Sequence, residues 1–129
     1  MCDRVAVLKE LYACFNAGDT GPVLAMMADD VRWANAMDGG HEHGHDAVQA
    51  YWVRQAAVVR ARVEPVAFAK ATDGSIAATV RQTVLDVDGR PLRDATHGLT
   101  DKTIRHRFRF RDDQIVQFDV EEIEPPHAT

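Results

Sequence analysis

The chain has little cysteine, no excess of positive charge and no long apolar run. Its only two cysteines, Cys2 and Cys14, are too few for a disulfide framework, so we predict a reduced cytoplasmic protein. The opening MCDRVAVLKELYACF is interrupted by charged residues and lacks the apolar core of a signal peptide. No later segment is apolar over the length of a membrane span, so we predict no membrane partner. A net charge of -5 argues against general binding of nucleic acid.

The motifs that signal common cofactors and metals are also absent. The sequence has no P-loop, no GxGxxG, no GxSxG and no HExxH. Its histidines are concentrated in the run HEHGH at residues 41–45. Alternate histidines on a strand would share a face and could hold a metal, whereas histidines in a glycine-flanked loop need not, and a structural turn is the alternative. We predict no native metal and no cofactor.

The composition that is present is that of an ordinary globular domain. Of 129 residues, 46% are hydrophobic and 27% are charged, which predicts one domain over residues 1–129. Helical spacing of apolar residues predicts a first helix that ends at Gly18, a short second helix from Asp19 or Thr20, and a third from about His45. Between the second and third helices we predict a short strand and then a loop. The strand covers Val31–Asn35, after the break at Asp29 and Asp30, and the loop covers Asp38–Gly44.

The second half of the chain predicts strands. Alternating and β-branched residues indicate four of them. They cover Arg62–Lys70, Ile76–Val87, Lys102–Arg111 and Ile115–Ile123. Helices followed by antiparallel strands indicate an α+β fold with the helices gathered on one face of the sheet.

The last two strands predict a hairpin with one buried face and one charged face. The charged face carries a row of arginines that could form a nucleic-acid stripe, but acidic residues lie opposite, which favours cross-strand ion pairs. The buried face carries His106 and Glu122 among aromatic residues, and titratable groups in apolar surroundings mark functional sites. Alternatively, His106 bonds a backbone carbonyl and Glu122 emerges at the sheet edge. The predicted opposite pairs are Phe110 with Val116, Phe108 with Phe118, His106 with Val120, Arg107 with Asp119, and Arg105 with Glu121.

The stretch from Leu11 to Trp52 resembles a known family. Its segments LYACFNAGD, MMADDVRWANAMDGG and HGHDAVQAYW give a helix, a short helix, a strand carrying Trp33, a glycine-rich loop and a third helix. This order resembles the SnoaL-like branch of the nuclear transport factor 2-like superfamily, which also holds ketosteroid isomerases and polyketide cyclases. The resemblance implies a cone of three N-terminal helices on a strongly bent, mostly antiparallel sheet around one pocket. It also implies a homodimer, with the outer face of the sheet as the interface.

The resemblance to ketosteroid isomerases can be compared residue by residue. Their catalytic base, an aspartate at the end of the first strand, is matched by Asn35. Their oxyanion donors, a tyrosine on the first helix and an aspartate on the penultimate strand, are matched by Leu11 and His106, with Tyr12 turned about 100° away. An amide cannot abstract a carbon-bound proton, so we predict that this chain is not a true ketosteroid isomerase.

The remaining positions predict a mostly apolar pocket for a small hydrophobic organic molecule that carries one or two oxygens. Each aromatic wall residue could equally serve only to pack the core. The predicted walls are Trp33, Trp52, Phe108 and Phe118, and the predicted polar contacts are Asn35, His106 and Gln82.

Two functions of different class follow from this sequence. The first is an enzyme, a cofactor-free isomerase, cyclase, hydrolase or dehydratase (lyase) in which His106 is the acid or base, Asn35 orients a substrate oxygen and Glu122 is a second titratable group. The second is a non-catalytic module that binds a small molecule or acts as a dimeric scaffold. A polar partner for His106 inside an accessible pocket would favour the enzyme, and a backbone partner would favour binding.

Overall fold

In the part of the chain that the structure describes, three helices pack against one curled, unclosed sheet of six strands, which confirms the predicted α+β fold. The computed structural model describes residues 3–90 and 102–122. Among the described strands the order is β2-β1-β6-β5-β4-β3, where the β1–β6 pairing is parallel and the other pairings are antiparallel. The elements are α1 Arg4–Asn16, α2 Thr20–Ala25, β1 Met27–Ala34, β2 His41–His43, α3 Gly44–Ala56, β3 Arg60–Lys70, β4 Ile76–Leu85, β5 Lys102–Arg111 and β6 Gln114–Glu122.

The first helix ends before Gly18, as the sequence predicts, and begins after Asp3. The Asp3 carboxylate accepts the backbone N–H groups of Val5 and Ala6, which satisfies two of the free donors of the first turn. After α1 the chain turns at Gly18, whose φ of 78° is accessible to glycine without steric cost. None of the described helices has the length and apolarity needed to cross a bilayer.

The first strand is longer than predicted, because Asp29 and Asp30 lie inside β1 instead of ending the segment before it. Both aspartates are exposed, and the pairing with β6 shifts register between Met27 and Arg32. A bulge of this kind allows two consecutive side chains to face solvent without ending the strand. The Asp30 carboxylate bonds the Arg111 guanidinium at 2.6 Å across the sheet.

The prediction of a loop over residues 38–44 is wrong at its end, because His41–His43 forms β2. This short strand pairs antiparallel with β1, with His41 opposite Ala34. Pairing to an available sheet edge overrides the weak strand propensity of the sequence. Gly44 follows with a φ of 83° and begins α3.

The register of the β5–β6 hairpin agrees with the prediction at four of the five pairs and differs at its tip. Phe110 lies opposite Ile115 instead of Val116, because the register shifts between Arg109 and Phe110. The turn residues Asp112 and Asp113 both adopt positive φ, which makes the turn tighter than a sequence pattern reveals. Ile123, the predicted end of this strand, lies outside the described residues.

The core lies between the helices and the concave face of the sheet. Helix α1 lies against β3, and α3 lies against β1. On the convex face, Arg107 bonds Glu121 at 2.7 Å, whereas the predicted partner Asp119 is only opposite it in register. The right-handed twist of the sheet brings such diagonal neighbours together. The largest fully buried side chains include Tyr12, Phe108, Leu8, Met27, Ile76, Ile104 and Ile115.

Candidate functional site

A cavity of about 60 Å³ lies between α1, α3 and the concave face of the sheet. One water needs about 10–15 Å³ of such a volume, so the cavity can hold several waters or a compact organic group. Most of its wall is apolar or aromatic. The lining consists of Leu11, Tyr12, Phe15, Trp33, Ala34, Ala36, Tyr51, Trp52, Gln55, Ala61, Val63, Gln82, His106, Phe108, Phe118 and Val120.

The predicted aromatic wall residues all line this cavity. The rings of Trp33 and Phe118 stack with centroids 4.0 Å apart, and Trp52 meets Trp33 edge-on at 5.4 Å. Phe108 packs against Phe118 at 5.2 Å. Alternate residues of β1, β5 and β6 supply three of these rings, because the concave face receives every second side chain. The predicted polar residue Gln82 also lines the cavity and is 5% exposed.

The Tyr12 hydroxyl lies 2.8 Å from Nδ1 of His106 inside the buried core. The sequence comparison matched Leu11 to the tyrosine of the isomerases and turned Tyr12 away, yet the Tyr12 side chain lies in the cavity beside His106. Both Leu11 and Tyr12 line the cavity, since the buried stripe of a helix is broad enough to include neighbours on either side of its centre. The first helix and the penultimate strand therefore do supply a pair of polar groups.

Burial keeps both members of this pair neutral. His106 is 6% exposed, and burial lowers the pKa of its imidazole from 6.5 to about 3. Burial also raises the pKa of the Tyr12 phenol well above 10.0. Near neutral pH the site thus contains a neutral imidazole and a protonated phenol.

Hydrogen-bond satisfaction assigns the tautomer of His106. If Tyr12 donates to Nδ1, its proton has an acceptor; if Nδ1–H donates to Tyr12, the buried phenol proton has none among the described residues. The first arrangement places the imidazole proton on Nε2. Nε2 has no hydrogen-bond partner among the described residues. Every fully buried side-chain nitrogen or oxygen in those residues does have a partner. Nε2 is therefore not fully buried, and it is accessible within the cavity.

Asn35 does not line this cavity but lines an adjoining space of about 420 Å³, which shares Ala34, Ala36, Gln82 and Val120 with the cavity. Its amide oxygen accepts the backbone N–H groups of Met37 and Asp38, and its amide nitrogen donates to Glu42 at 3.0 Å. A short polar side chain at a strand end readily forms such a turn. Asn35 therefore supports the turn after β1, and its role in orienting a substrate oxygen stays a prediction.

Glu122, the second titratable candidate, lies in β6 opposite Ile104, two residues along from the Val120–His106 pair. Its side chain lies outside what the structure describes, so its role stays a prediction. No Asp or Glu side chain lines the cavity within residues 3–90 and 102–121. In that part of the chain, the acid–base chemistry of the cavity rests on neutral groups.

The histidines of the HEHGH run lie away from the cavity. His41 Nε2 bonds the Asp119 carboxylate at 2.7 Å, and His45 Nε2 bonds the backbone carbonyl of Met27 at 3.0 Å. Among the described residues, no three His, Cys, Asp or Glu side chains are grouped closely enough to hold a metal. These two contacts connect β2 to β6 and α3 to β1.

Sequence reasoning did not name Tyr12 or Gln55, two polar residues of this lining, as site residues. Tyr12 belongs to the same apolar helix stripe as Leu8, Leu11 and Phe15, and that pattern alone could have placed it inside. Gln55 lies on the buried face of α3 and lines the cavity, although only its position on the helix signalled this.

A curled sheet that wraps helices around one aromatic cavity defines the nuclear transport factor 2-like class. The chain belongs to the SnoaL-like domain family, whose sequence model matches residues 8–118. No curated protein matches the chain in sequence.

Solved structures show the same fold. A protein of unknown function from Burkholderia pseudomallei, described as NTF2-like, is 26% identical, with 95% of this chain and 92% of that one covered and a TM-score of 0.77. A candidate polyketide cyclase from Sinorhizobium meliloti is 16% identical, with 94% and 95% covered and a TM-score of 0.71. TerC, co-crystallised with polyporic acid, is 19% identical, with 93% and 91% covered and a TM-score of 0.72.

Proposed function

We propose that this chain, as one SnoaL-like domain, binds a small, flat, carbonyl-bearing molecule and stabilises negative charge that develops on the carbonyl oxygen. The reaction class is cofactor-free enol chemistry, as in an isomerase or cyclase. The observation that carries this proposal is the 2.8 Å contact between Tyr12 and Nδ1 of His106, which leaves Nε2–H facing an aromatic cavity. That donor needs an acceptor, and a ligand oxygen supplies one.

The role of His106 follows from its protonation state. With a pKa of about 3 the imidazole is neutral near pH 7, so it acts as a hydrogen-bond donor and not as a cationic acid. A neutral imidazole can polarise a carbonyl group, and a fixed donor in a site that excludes water stabilises an oxyanion strongly. Tyr12 holds the tautomer and keeps its own proton, because burial makes the phenolate costly. This role replaces the acid–base role expected from the sequence.

The solved relatives fit this proposal at the level of ligand chemistry. One is described as a candidate polyketide cyclase, and TerC was crystallised with an organic acid, so this fold accommodates oxygen-bearing organic molecules. The described cavity lining has no carboxylate to carry a proton between carbons, which argues against efficient steroid double-bond isomerisation.

The same observation favours a second candidate function. A cavity whose described lining has no carboxylate base is also suited to a module that holds its ligand without changing it. The two candidates differ in whether a bound ketone exchanges its α-protons faster than it does in buffer.

Acetophenone in D₂O distinguishes them. The C–H bond next to the carbonyl breaks, its proton passes to a solvent base, and a deuteron from D₂O returns to the carbon. We expect the protein to accelerate loss of the methyl proton NMR signal, because His106 Nε2–H stabilises the enolate oxygen. Loss of one such donor typically costs about 10²–10³-fold in rate, so His106→Phe should abolish most of the acceleration.

Gln49→Leu is the matched control, because Gln49 is on α3, which contributes to the cavity, but does not itself line it. It should leave the exchange rate unchanged. Binding of acetophenone without faster exchange would favour the binding module. Equal acceleration by the parent protein and His106→Phe would refute the proposed role of His106.

We further propose that the chain forms a homodimer through the outer face of its sheet. That face carries charges of both signs, including Arg107 bonded to Glu121 at 2.7 Å and Arg109 bonded to Asp73 at 2.9 Å. Around a two-fold axis, such pairs can exchange partners with the same face of a second copy. Because the arginines already pair with carboxylates, the face is a poor nucleic-acid stripe.

A further inference from the structure

A second space lies directly outside the cavity, between the ends of α1 and α3 and the start of β3. This groove has a volume of about 540 Å³. Four residues line both the groove and the cavity, so the two spaces adjoin at these residues. They are Phe15, Trp52, Gln55 and Ala61.

Gln55 is the polar member of this junction. It is 8% exposed, and its backbone carbonyl accepts the N–H groups of Val58 and Val59. Its side-chain amide makes no hydrogen bond to any residue that the structure describes. In those residues, every fully buried side-chain nitrogen or oxygen has a hydrogen-bond partner. Because the Gln55 amide has none, it is not fully buried and keeps accessible surface at the junction.

A neighbouring amide shows the opposite arrangement. Asn16 also lines the groove, but its amide nitrogen donates to the Val63 carbonyl at 2.7 Å and its oxygen accepts the Val63 N–H at 2.9 Å. Asn16 therefore has a structural role in fixing the end of α1 to β3. Gln55 has no such role, and a largely buried amide costs stability unless water or a ligand satisfies it.

We propose that Gln55 binds the ligand, and that this ligand is elongated. Its carbonyl head lies in the cavity at His106, its body passes beside the packed pair of Phe15 and Trp52, and a second polar atom meets Gln55 on the way into the groove. The ring centroids of Phe15 and Trp52 lie 5.8 Å apart at 71°, an edge-to-face contact that forms one apolar wall of this passage. A glutamine amide both donates and accepts, so the second group is a hydroxyl, a carbonyl or an amide. This inference rests on the proposed function, because the head of the ligand is placed by His106.

Two ketones that differ by one hydroxyl group test this inference. One is 4′-propylacetophenone, and the other is 4′-(3-hydroxypropyl)acetophenone, which adds a hydroxyl at the end of the same tail. Dissociation constants for both are measured by calorimetry with the parent protein, with Gln55→Leu and with Gln49→Leu. Gln49 is the matched control, because it is on the same helix and lines the groove but not the cavity.

We expect Gln55→Leu to lower the preference for the hydroxyl ketone over the propyl ketone by about three- to tenfold, the usual effect of one hydrogen bond. Gln49→Leu should leave this preference unchanged. If both ketones bind and Gln55→Leu leaves the preference intact, the inference is wrong while the proposed function stands. If neither ketone binds the parent protein, both are wrong.

A measurement on the parent protein covers the case in which Gln55→Leu does not fold. In ¹⁵N-labelled protein, the hydroxyl ketone should shift the side-chain NH₂ signals of Gln55 more than the propyl ketone does. Equal shifts from the two ketones would overturn the inference.

Discussion

The buried imidazole of His106 should make the stability of this protein depend on pH. The pKa of His106 is about 3 in the folded protein and about 6.5 in the unfolded chain. Between these values the unfolded chain binds a proton that the folded protein does not, so stability rises with pH. The contribution is fully present above about pH 6.5 and is lost as the pH falls towards 3.

The size of the effect follows from the same two values. Each pH unit inside this window changes the free energy of unfolding by about 1.4 kcal/mol per group. Between pH 7.5 and pH 5.0, His106 alone should therefore cost about 2 kcal/mol of stability.

Urea denaturation of the parent protein and of His106→Gln at pH 7.5, 6.5, 5.5 and 5.0 measures this effect. Glutamine can still accept the Tyr12 proton but does not titrate, and all other ionisable groups are shared by the two proteins. The difference in unfolding free energy between them should shrink by about 2 kcal/mol as the pH falls to 5.0. A difference that stays constant with pH would show that His106 is not held neutral by burial. If His106→Gln does not fold, an NMR titration of His106 in the parent protein gives the same pKa.

Three further outcomes are expected. Tyr12→Phe should lower the free energy of unfolding in urea by about 1–3 kcal/mol, because it leaves Nδ1 of His106 unpaired. The double variant Tyr12→Phe/His106→Phe should lose less stability than the sum of the losses in the two single variants. Additive losses would refute the pairing. Acetophenone should quench tryptophan fluorescence, and Trp33→Phe should remove much of that change; unaltered quenching in both Trp33→Phe and Trp52→Phe would show that the cavity walls are wrong. Sedimentation at micromolar concentration should show a species of twice 14.3 kDa, and a 14.3 kDa species alone would contradict the dimer.

The parts of the fold that the sequence predicts best are those set by a simple period. The alternation in β5 and β6 allows one pairing that buries Phe108 and Phe118 together, so their register follows from the pattern. The tip of this hairpin does not follow, because the shift at Phe110 depends on the positive φ of Asp112 and Asp113. Turn geometry of this kind leaves only a weak trace in composition.

The sequence predicted individual site residues only where alternation along a strand determines which face of the sheet a side chain occupies. Trp33 and His106 reach the concave side through alternation along their strands. The Tyr12 side chain on α1 meets His106 on β5 inside the core, and no local pattern encodes that contact. Asn35 was placed by the comparison with isomerases, but its amide is held by the turn after β1, which only the folded backbone reveals.

The most direct test of this account is the protonation state of the His106 ring and its response to a ketone. Ring ¹⁵N chemical shifts at pH 7 should show a neutral imidazole with the proton on Nε2 and none on Nδ1, because Tyr12 donates to Nδ1. Addition of acetophenone should shift the Nε2 signal, since the ligand oxygen becomes its acceptor. A charged imidazolium, a proton on Nδ1, or an Nε2 signal that does not respond to the bound ketone would contradict the central claim.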